Sequence, residues 1–183
     1  MTEDDKNLPE LRKIILQHVH KNGLYFSASL PKKIFPPLFN KYCGDTNSFG
    51  NHVDNAVRTY IKTGENIRTD LSCTIFLSNP QEYEGGELVI EDVYGAKSIK
   101  LNAGDAILYP STSLHRVEPV TKGERIASFF WIESMVRGND ERRILFDMDM
   151  AILNLRQKHG QNEDAAVVLT SCYHNLVRLF ADT

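Results

Sequence analysis

Between residues 34 and 133 the chain is a succession of short apolar, β-branched and aromatic runs, each closed by a turn signal. "LFNKYC" (38–43) follows the break at Pro36-Pro37, and "TDLSCTIFLSNP" (69–80) stops on Asn79-Pro80. "ELVIED" follows the pair Gly85-Gly86. "AKSIKL", "DAILYP", "LHRVEPV" and "RIASFFWIES" come next, parted by turns such as Asn102-Ala103-Gly104-Asp105 and Lys122-Gly123. Roughly eight short strands at such spacing are the mark of a β-sandwich or barrel. No helix alternates with them, which argues against a doubly wound parallel sheet.

Helical periodicity brackets this region. In "LPELRKIILQHVHK" (8–21), Leu8, Leu11, Ile14, Ile15 and Val19 recur at helical spacing. Asn7 stands at the cap position, Pro9 lies in the first turn and Gly23 marks the end. After Gly138, "DERRILFDMDMAILNLRQKHG" carries Ile144, Leu145, Met148, Ile152 and Leu155 on one face. "EDAAVVLTSCYHNLVRLF" repeats Val168, Cys172, Leu176 and Leu179 at near-helical steps, with Leu169, Tyr173 and Phe180 beside them. Gly160 to Asn162 is a short connection between two antiparallel helices. The expected organisation is mainly β with flanking helices: a helical segment over 1–33, a β domain over 34–134, and a helical hairpin over 135–183 that closes one side of it.

A chain of 183 residues buries a proper core without staples. A net charge of −3 leaves no basic footprint for nucleic acid. No apolar run reaches the ~18 residues of a membrane span, and the opening "MTEDDKNLPEL" is unlike a secretory signal. Cys43, Cys73 and Cys172 are odd in number and widely spaced, as free thiols in a reducing compartment would be. The expectation is a cytoplasmic protein.

The chemistry begins at "NSFGNHVDNAV" (47–57). On a strand, His52 and Asp54 point to one face while Val53 packs behind. By itself the tripeptide is weak, since ordinary usage produces it by chance in about one chain in five of this length. A metal needs a third ligand from elsewhere, and His115, at the start of a later strand, is best placed. Two imidazoles and one carboxylate on one face leave three positions open, the facial triad of non-heme Fe(II) oxygenases. His18, His20, His159 and His174 fall on helices and read as surface or packing residues. Arg125 lies on the next strand, sharing a face with Ala127, Phe129 and Trp131. An arginine facing a barrel interior requires an anion, and its planar fork matches a carboxylate. Trp131 is expected to line the pocket wall. Tyr109-Pro110 and Ser111 to Ser113 are expected to form the turn that presents His115.

This H-x-D…H…R order in a β-rich chain resembles the Fe(II)- and 2-oxoglutarate-dependent dioxygenases of the double-stranded β-helix, or jelly-roll, fold. "RTDLSCTIFLSNP", "YEGGELVIED" and "AGDAILYPSTSLHRVEPVTKGERIASFFWI" are similar to the prolyl/lysyl hydroxylase branch, and most of all to the bacterial PKHD-type hydroxylases. The likeness runs from about Leu30 to the C-terminus. It implies His52, Asp54 and His115 as iron ligands and Arg125 as the partner of the far carboxylate of 2-oxoglutarate. O2 would be the second cosubstrate and ascorbate the reductant. Tyr42 falls where prolyl hydroxylases carry a cosubstrate-lining tyrosine, and reads equally as a core tyrosine. Phe76 stands where animal relatives have a second such tyrosine. Gly85-Gly86 reads as a tight turn or as a loop that lets substrate backbone approach the iron. Relatives carry a further segment before the first helix. A carboxylate at position 54 implies hydroxylation, because related halogenases keep a small residue there.

The substrate implied is a peptidyl side chain, or a small amino-acid-like or siderophore-related molecule. The C-terminal helices could cover the barrel or pair with a second subunit in a homo-oligomer. The alternatives are a non-catalytic cupin-like metal-binding module, a zinc hydrolase, for which no general base stands out, and a purely structural jelly roll.

Overall fold

The longest strand, "RIASFFWIES", is the centre of the structure, because both of its faces meet other apolar elements. The computed structural model describes residues 5–183. Residues 1–4, part of the acidic opening read above as unlike a secretory signal, lie outside the described residues. Helices α1 (Leu8–Lys21) and α2 (Gly23–Ser29) lead into strands β1 (Pro31–Ile34), β2 (Leu38–Tyr42), β3 (Phe49–His52), β4 (Val57–Tyr60) and β5 (Glu65–Arg68). Next come β6 (Leu71–Phe76), β7 (Tyr83–Gly85), β8 (Leu88–Asp92), β9 (Gly95–Ile99) and β10 (Ala106–Pro110). Strands β11 (His115–Val117), β12 (Val120–Gly123) and β13 (Arg125–Ser134) precede α3 (Asn139–His159) and α4 (Asp164–Phe180).

The larger sheet runs β1-β13-β6-β10, with β2 also pairing along β13; the smaller runs β3-β11-β8-β9. All the pairings among these strands are antiparallel. Phe76 and Tyr109 of the larger sheet pack with Leu88, Ile90 and Val117 of the smaller, forming the core between the sheets. The other face of the larger sheet buries Leu71, Cys73, Ile75, Phe130 and Ile132 against Val19 and Tyr25 of α1 and α2. Burial pushes the Cys73 thiol up to about 12. Leu30, Val136, Leu145, Ile152 and Tyr173 form a separate cluster under the α3–α4 hairpin. This is the mainly β architecture with flanking helices that the sequence pattern implies. Among the described residues no helix is long and apolar enough to cross a membrane.

The local expectations need several corrections. The Asn7 side chain makes no capping bond because its backbone is already helical, at φ −88° and ψ −15°; its own N–H instead donates to Asp5 Oδ1 at 2.9 Å. Gly23 opens a helix rather than ending one. Asn22 stops α1, and its side chain accepts the Tyr25 N–H at 3.0 Å to start α2, which at seven residues is too short to show a period. The faces of the last two helices rotate: Ile144 (55%), Val168 (62%) and Leu179 (74%) are exposed, as is Cys172. Leu145, Met148 and Ile152 of α3 face inward with Leu169, Tyr173, Leu176, Val177 and Phe180 of α4. Apolar residues cover more than one stripe of each helix, so spacing alone does not choose the buried one.

Candidate metal centre

His52 closes β3 and His115 opens β11, and the two stand directly opposite each other in the antiparallel register. Asp54 lies two residues past the end of β3, so strand alternation is not what aims it. Val53 accordingly is 50% exposed rather than packed behind its neighbours. The chain's departure from the sheet still brings the three side chains together. One ligating atom from each of His52, Asp54 and His115 lies within 4.8 Å of the others. His115 Nε2 is 3.8 Å from Asp54 Oδ2, and the two imidazole centroids are 4.1 Å apart.

Each donor is oriented by a neighbour. His52 Nδ1 sits 2.8 Å from the Gly50 carbonyl and His115 Nδ1 sits 3.0 Å from the Ser113 carbonyl. A carbonyl only accepts, so each Nδ1 carries the hydrogen and each Nε2 lone pair is left for a metal. Burial, the largest influence, lowers the His115 pKa from 6.5, favouring the neutral ring that coordination needs. Ser72 Oγ donates to Asp54 Oδ2 at 2.6 Å, and Ser111 Oγ lies 2.7 Å from Ser72 Oγ. Because a carboxylate only accepts, the Ser72 hydrogen is committed to it and Ser111 must donate to Ser72. The 111–113 turn does present His115, and Ser111 also completes this relay. Two nitrogens and one oxygen, pre-aimed at a common point, suit a divalent metal of borderline softness with positions left open.

Arg125, the first residue of β13, faces Tyr42 of β2 across the ladder. It is 1% exposed. Its guanidinium carbon lies 5.4 Å from the Tyr42 ring centroid and 5.3 Å from that of Phe76. Its Nε–H has no hydrogen-bond partner, nor has the buried Tyr83 hydroxyl. Burial depresses the Arg125 pKa, opposed by the phenols of Tyr83, Tyr42 and Tyr109. Among the described residues no carboxylate lies within ion-pair distance of it. A buried guanidinium set among aromatic rings and phenols, with no carboxylate partner, is unfavourable until an anion joins it.

Arg125 and the His52, Asp54 and His115 side chains line one cavity of about 850 Å³. Tyr42, Tyr109, Ala127, Phe129 and Trp131 form more of its wall. The one-face reading of 125, 127, 129 and 131 is therefore realised, and Trp131 is a wall residue as expected. The Tyr42 hydroxyl accepts the Asn40 amide at 3.0 Å. Phe76 is fully buried and contributes its ring to Arg125 rather than to the cavity surface. Gly85 and Gly86 adopt φ +73° and +70°. A Cβ on Gly85 would meet the Pro119 carbonyl oxygen at 2.0 Å; one on Gly86 would meet Val120 Cγ2 at 2.7 Å and Arg125 Cδ at 3.1 Å. The pair is thus a turn packed tightly behind Arg125. His18, His20, His159 and His174 are exposed on helices, away from the cavity.

Sequence reasoning missed Ser72 and Tyr83, and it gave Tyr109 and Pro110 to the turn before His115, whereas they close β10 and Tyr109 lines the cavity; these positions depend on how distant strands register. Among the described residues no glutamate lines the cavity, so none stands there as the general base that a zinc hydrolase would need.

Residues 37–133 match the model of the 2OG-Fe(II) oxygenase superfamily, and residues 140–182 match that of the PKHD-type hydroxylase C-terminal domain. A PKHD-type hydroxylase of a Polaromonas species is 57% identical over 93% of this chain and 74% of its own length. One from Saccharophagus degradans is 58% identical over 95% of this chain and 76% of its own length. Among solved structures, the non-heme alpha-ketoglutarate-dependent carbocyclase SnoK of nogalamycin biosynthesis aligns with a TM-score of 0.51 at 14% identity, over 70% of this chain and 60% of that one. At that identity the likeness is one of fold alone. A Pseudomonas putida prolyl-4-hydroxylase aligns with a TM-score of 0.49 at 17% identity, over 73% of this chain and 69% of that one.

Proposed function

The chain belongs to the PKHD-type hydroxylases of the 2OG-Fe(II) oxygenase superfamily, and on that premise we propose that it uses Fe(II), 2-oxoglutarate and O2 to hydroxylate an unactivated C–H bond, releasing succinate and carbon dioxide. His52, Asp54 and His115 would hold the iron. Bound together there, iron and keto acid supply the oxygen-activating chemistry, which belongs to the cofactor rather than to the protein. The protein's part is orientation. Gly50 and Ser113 keep both Nε2 atoms aimed at one point, and Ser72 keeps the Asp54 carboxylate turned toward them. Arg125 would pair the far carboxylate of 2-oxoglutarate, with Tyr42 beside it on the neighbouring strand. Fixing that end limits how the reacting end can sit, a positioning effect. The apolar walls of Phe129, Trp131 and Ala127 restrict water around it. The substrate belongs to the peptidyl, amino-acid-like or siderophore-related classes, and ascorbate is part of the same proposal as reductant.

The observation that carries this reading is Arg125, a buried guanidinium with no carboxylate partner among the described residues, in the wall of the cavity that also holds the three metal-ligand candidates. A cupin-like module that only holds metal has no use for it. Calorimetric titration of 2-oxoglutarate into the Co(II)-loaded protein tests the assignment. Wild type binds, and Arg125→Gln loses about 30-fold or more in affinity. Equal affinities would refute the role of Arg125.

A further inference from the structure

A second arginine in the same cavity bears on what is oxidised there. Resting on the function proposed above, we infer that Arg58 is an anion subsite, and that the substrate carries a carboxylate which this guanidinium holds. Arg58 projects from β4 into the cavity wall. Its guanidinium carbon lies 3.9 Å from the Trp131 ring centroid and 5.3 Å from that of Phe35. A guanidinium seated over a ring in this way still has N–H donors for other partners. Other arginines of this chain find oxygen partners: Arg68 pairs with Asp70, Arg116 with Glu118 and Glu91, and Arg143 with Asp147, while Arg142, Arg156 and Arg178 donate to carbonyl, hydroxyl or amide oxygens. Among the described residues Arg58 has neither a carboxylate within ion-pair distance nor a hydrogen-bond acceptor.

The charges around it support the same conclusion. Asp54 is the anion that acts on Arg58, opposing the effect of burial. Asp54, however, is tied to Ser72 and is one of the metal-ligand candidates. Once a divalent metal and 2-oxoglutarate are in place, the positive charges of metal and Arg125 are matched by those of Asp54 and the dianionic cosubstrate. Arg58 is then the excess charge. The cavity's other charged residues do not cancel it: Lys41 is drawn to Glu124 at 3.0 Å, and Asp45 is exposed. A single planar fork stacked on an indole fits a planar carboxylate, whereas phosphate sites gather several donors or a nest of backbone N–H groups. The adjoining surface, Leu38, Phe129 and Trp131, is apolar and would hold the carbon skeleton next to that carboxylate.

The test uses the whole protein loaded with Co(II) and 2-oxoglutarate, titrated calorimetrically with defined probes. These are the free L-amino acids, their primary amides, peptides with a free C-terminus, and C-amidated peptides bearing one Asp or Glu. At least one carboxylate probe is expected to bind, and its amide to bind about tenfold or more weakly. Arg58→Met keeps an unbranched side chain over Trp131 and is expected to lose the same factor, while Arg58→Lys retains part of it and 2-oxoglutarate affinity is unchanged in both. Binding of free acids alone identifies a small molecule, and binding of peptides alone a peptidyl substrate; either supports the subsite. Amides binding as well as acids, an Arg58→Met variant with undiminished carboxylate affinity, or no binding by any carboxylate probe would overturn it. Failure of 2-oxoglutarate itself to bind wild type would instead remove the proposed function, and the subsite with it.

Discussion

Arg125 is a residue at which stability and function pull in opposite directions. Buried, charged and without a carboxylate within ion-pair distance among the described residues, it lies against the rings of Tyr42 and Phe76. Replacing it with an unbranched apolar side chain removes an uncompensated charge, a change that stabilises many proteins. Arg125→Met is therefore expected to raise the Tm of the metal-free protein by about 2–4 °C, near 1 kcal/mol for a chain of this size, while abolishing 2-oxoglutarate binding. Thermal denaturation of the two proteins checks the first part; a lower Tm in the variant would mean that Arg125 stabilises the fold. Ser72 is the complementary case. Ser72→Ala removes the donor to Asp54 Oδ2 and leaves the Ser111 hydroxyl without its acceptor. Losing a partner of a ligating side chain typically lowers metal affinity about 10- to 100-fold. A Co(II) titration should show that loss, with Ser72→Thr recovering part of it; unchanged affinity would mean Asp54 is aimed by the backbone alone. These residues differ in how legible they were. His52, Asp54, His115 and Arg125 stand out in the sequence because together they fall in one recognisable order, although aspartate and arginine are common in the chain. Ser72 does not, because a serine on a strand has no pattern until β6 pairs with β10 and brings Ser111 beside it.

At the level of elements, the segment from β7 to the start of β8 sets where Arg125 can lie. Gly86 is packed so closely that a methyl group would press on Val120 and on the Arg125 stem, and its φ of +70° disfavours any side chain. Gly86→Ala is expected to weaken 2-oxoglutarate binding several-fold although residue 86 is not part of the cavity wall, an effect to be read by calorimetry on the Co(II)-loaded protein. Retained affinity would show that the local backbone absorbs the methyl without moving Arg125. Strongly patterned elements such as β6, β13, α1 and the α3–α4 hairpin were legible from periodicity. Strands β3, β4 and β5 were not. "FGNH", "VRTY" and "ENIR" are half polar and mostly exposed, and their pairing is set by partners far away in the chain or by a hairpin turn. The strand argument for His52 and Asp54 does not describe how they converge, since β3 ends at His52 and the loop beyond it aims Asp54.

Taken as a whole, the molecule divides the work between its sheets. The smaller sheet supplies His52 and His115 from adjacent strands, with Asp54 just past the end of one of them. The larger sheet supplies Arg125, and the core between the sheets carries the aromatic support beneath it. Helices α1 and α2 seal the outer face of the larger sheet, and the α3–α4 hairpin buries its own cluster with Leu30 and Val136. That division makes the candidate site a property of the assembled sandwich: neither sheet alone holds both the metal-ligand candidates and Arg125. The central claim is that these two halves act on one cosubstrate. It is tested most directly by measuring succinate released from 2-oxoglutarate, under air with Fe(II), by wild type, Asp54→Ala and Arg125→Gln. The account requires succinate from wild type, its loss in Asp54→Ala, and a fall in kcat/KM of about 30-fold or more in Arg125→Gln. Succinate formed at the wild-type rate by either variant would contradict it.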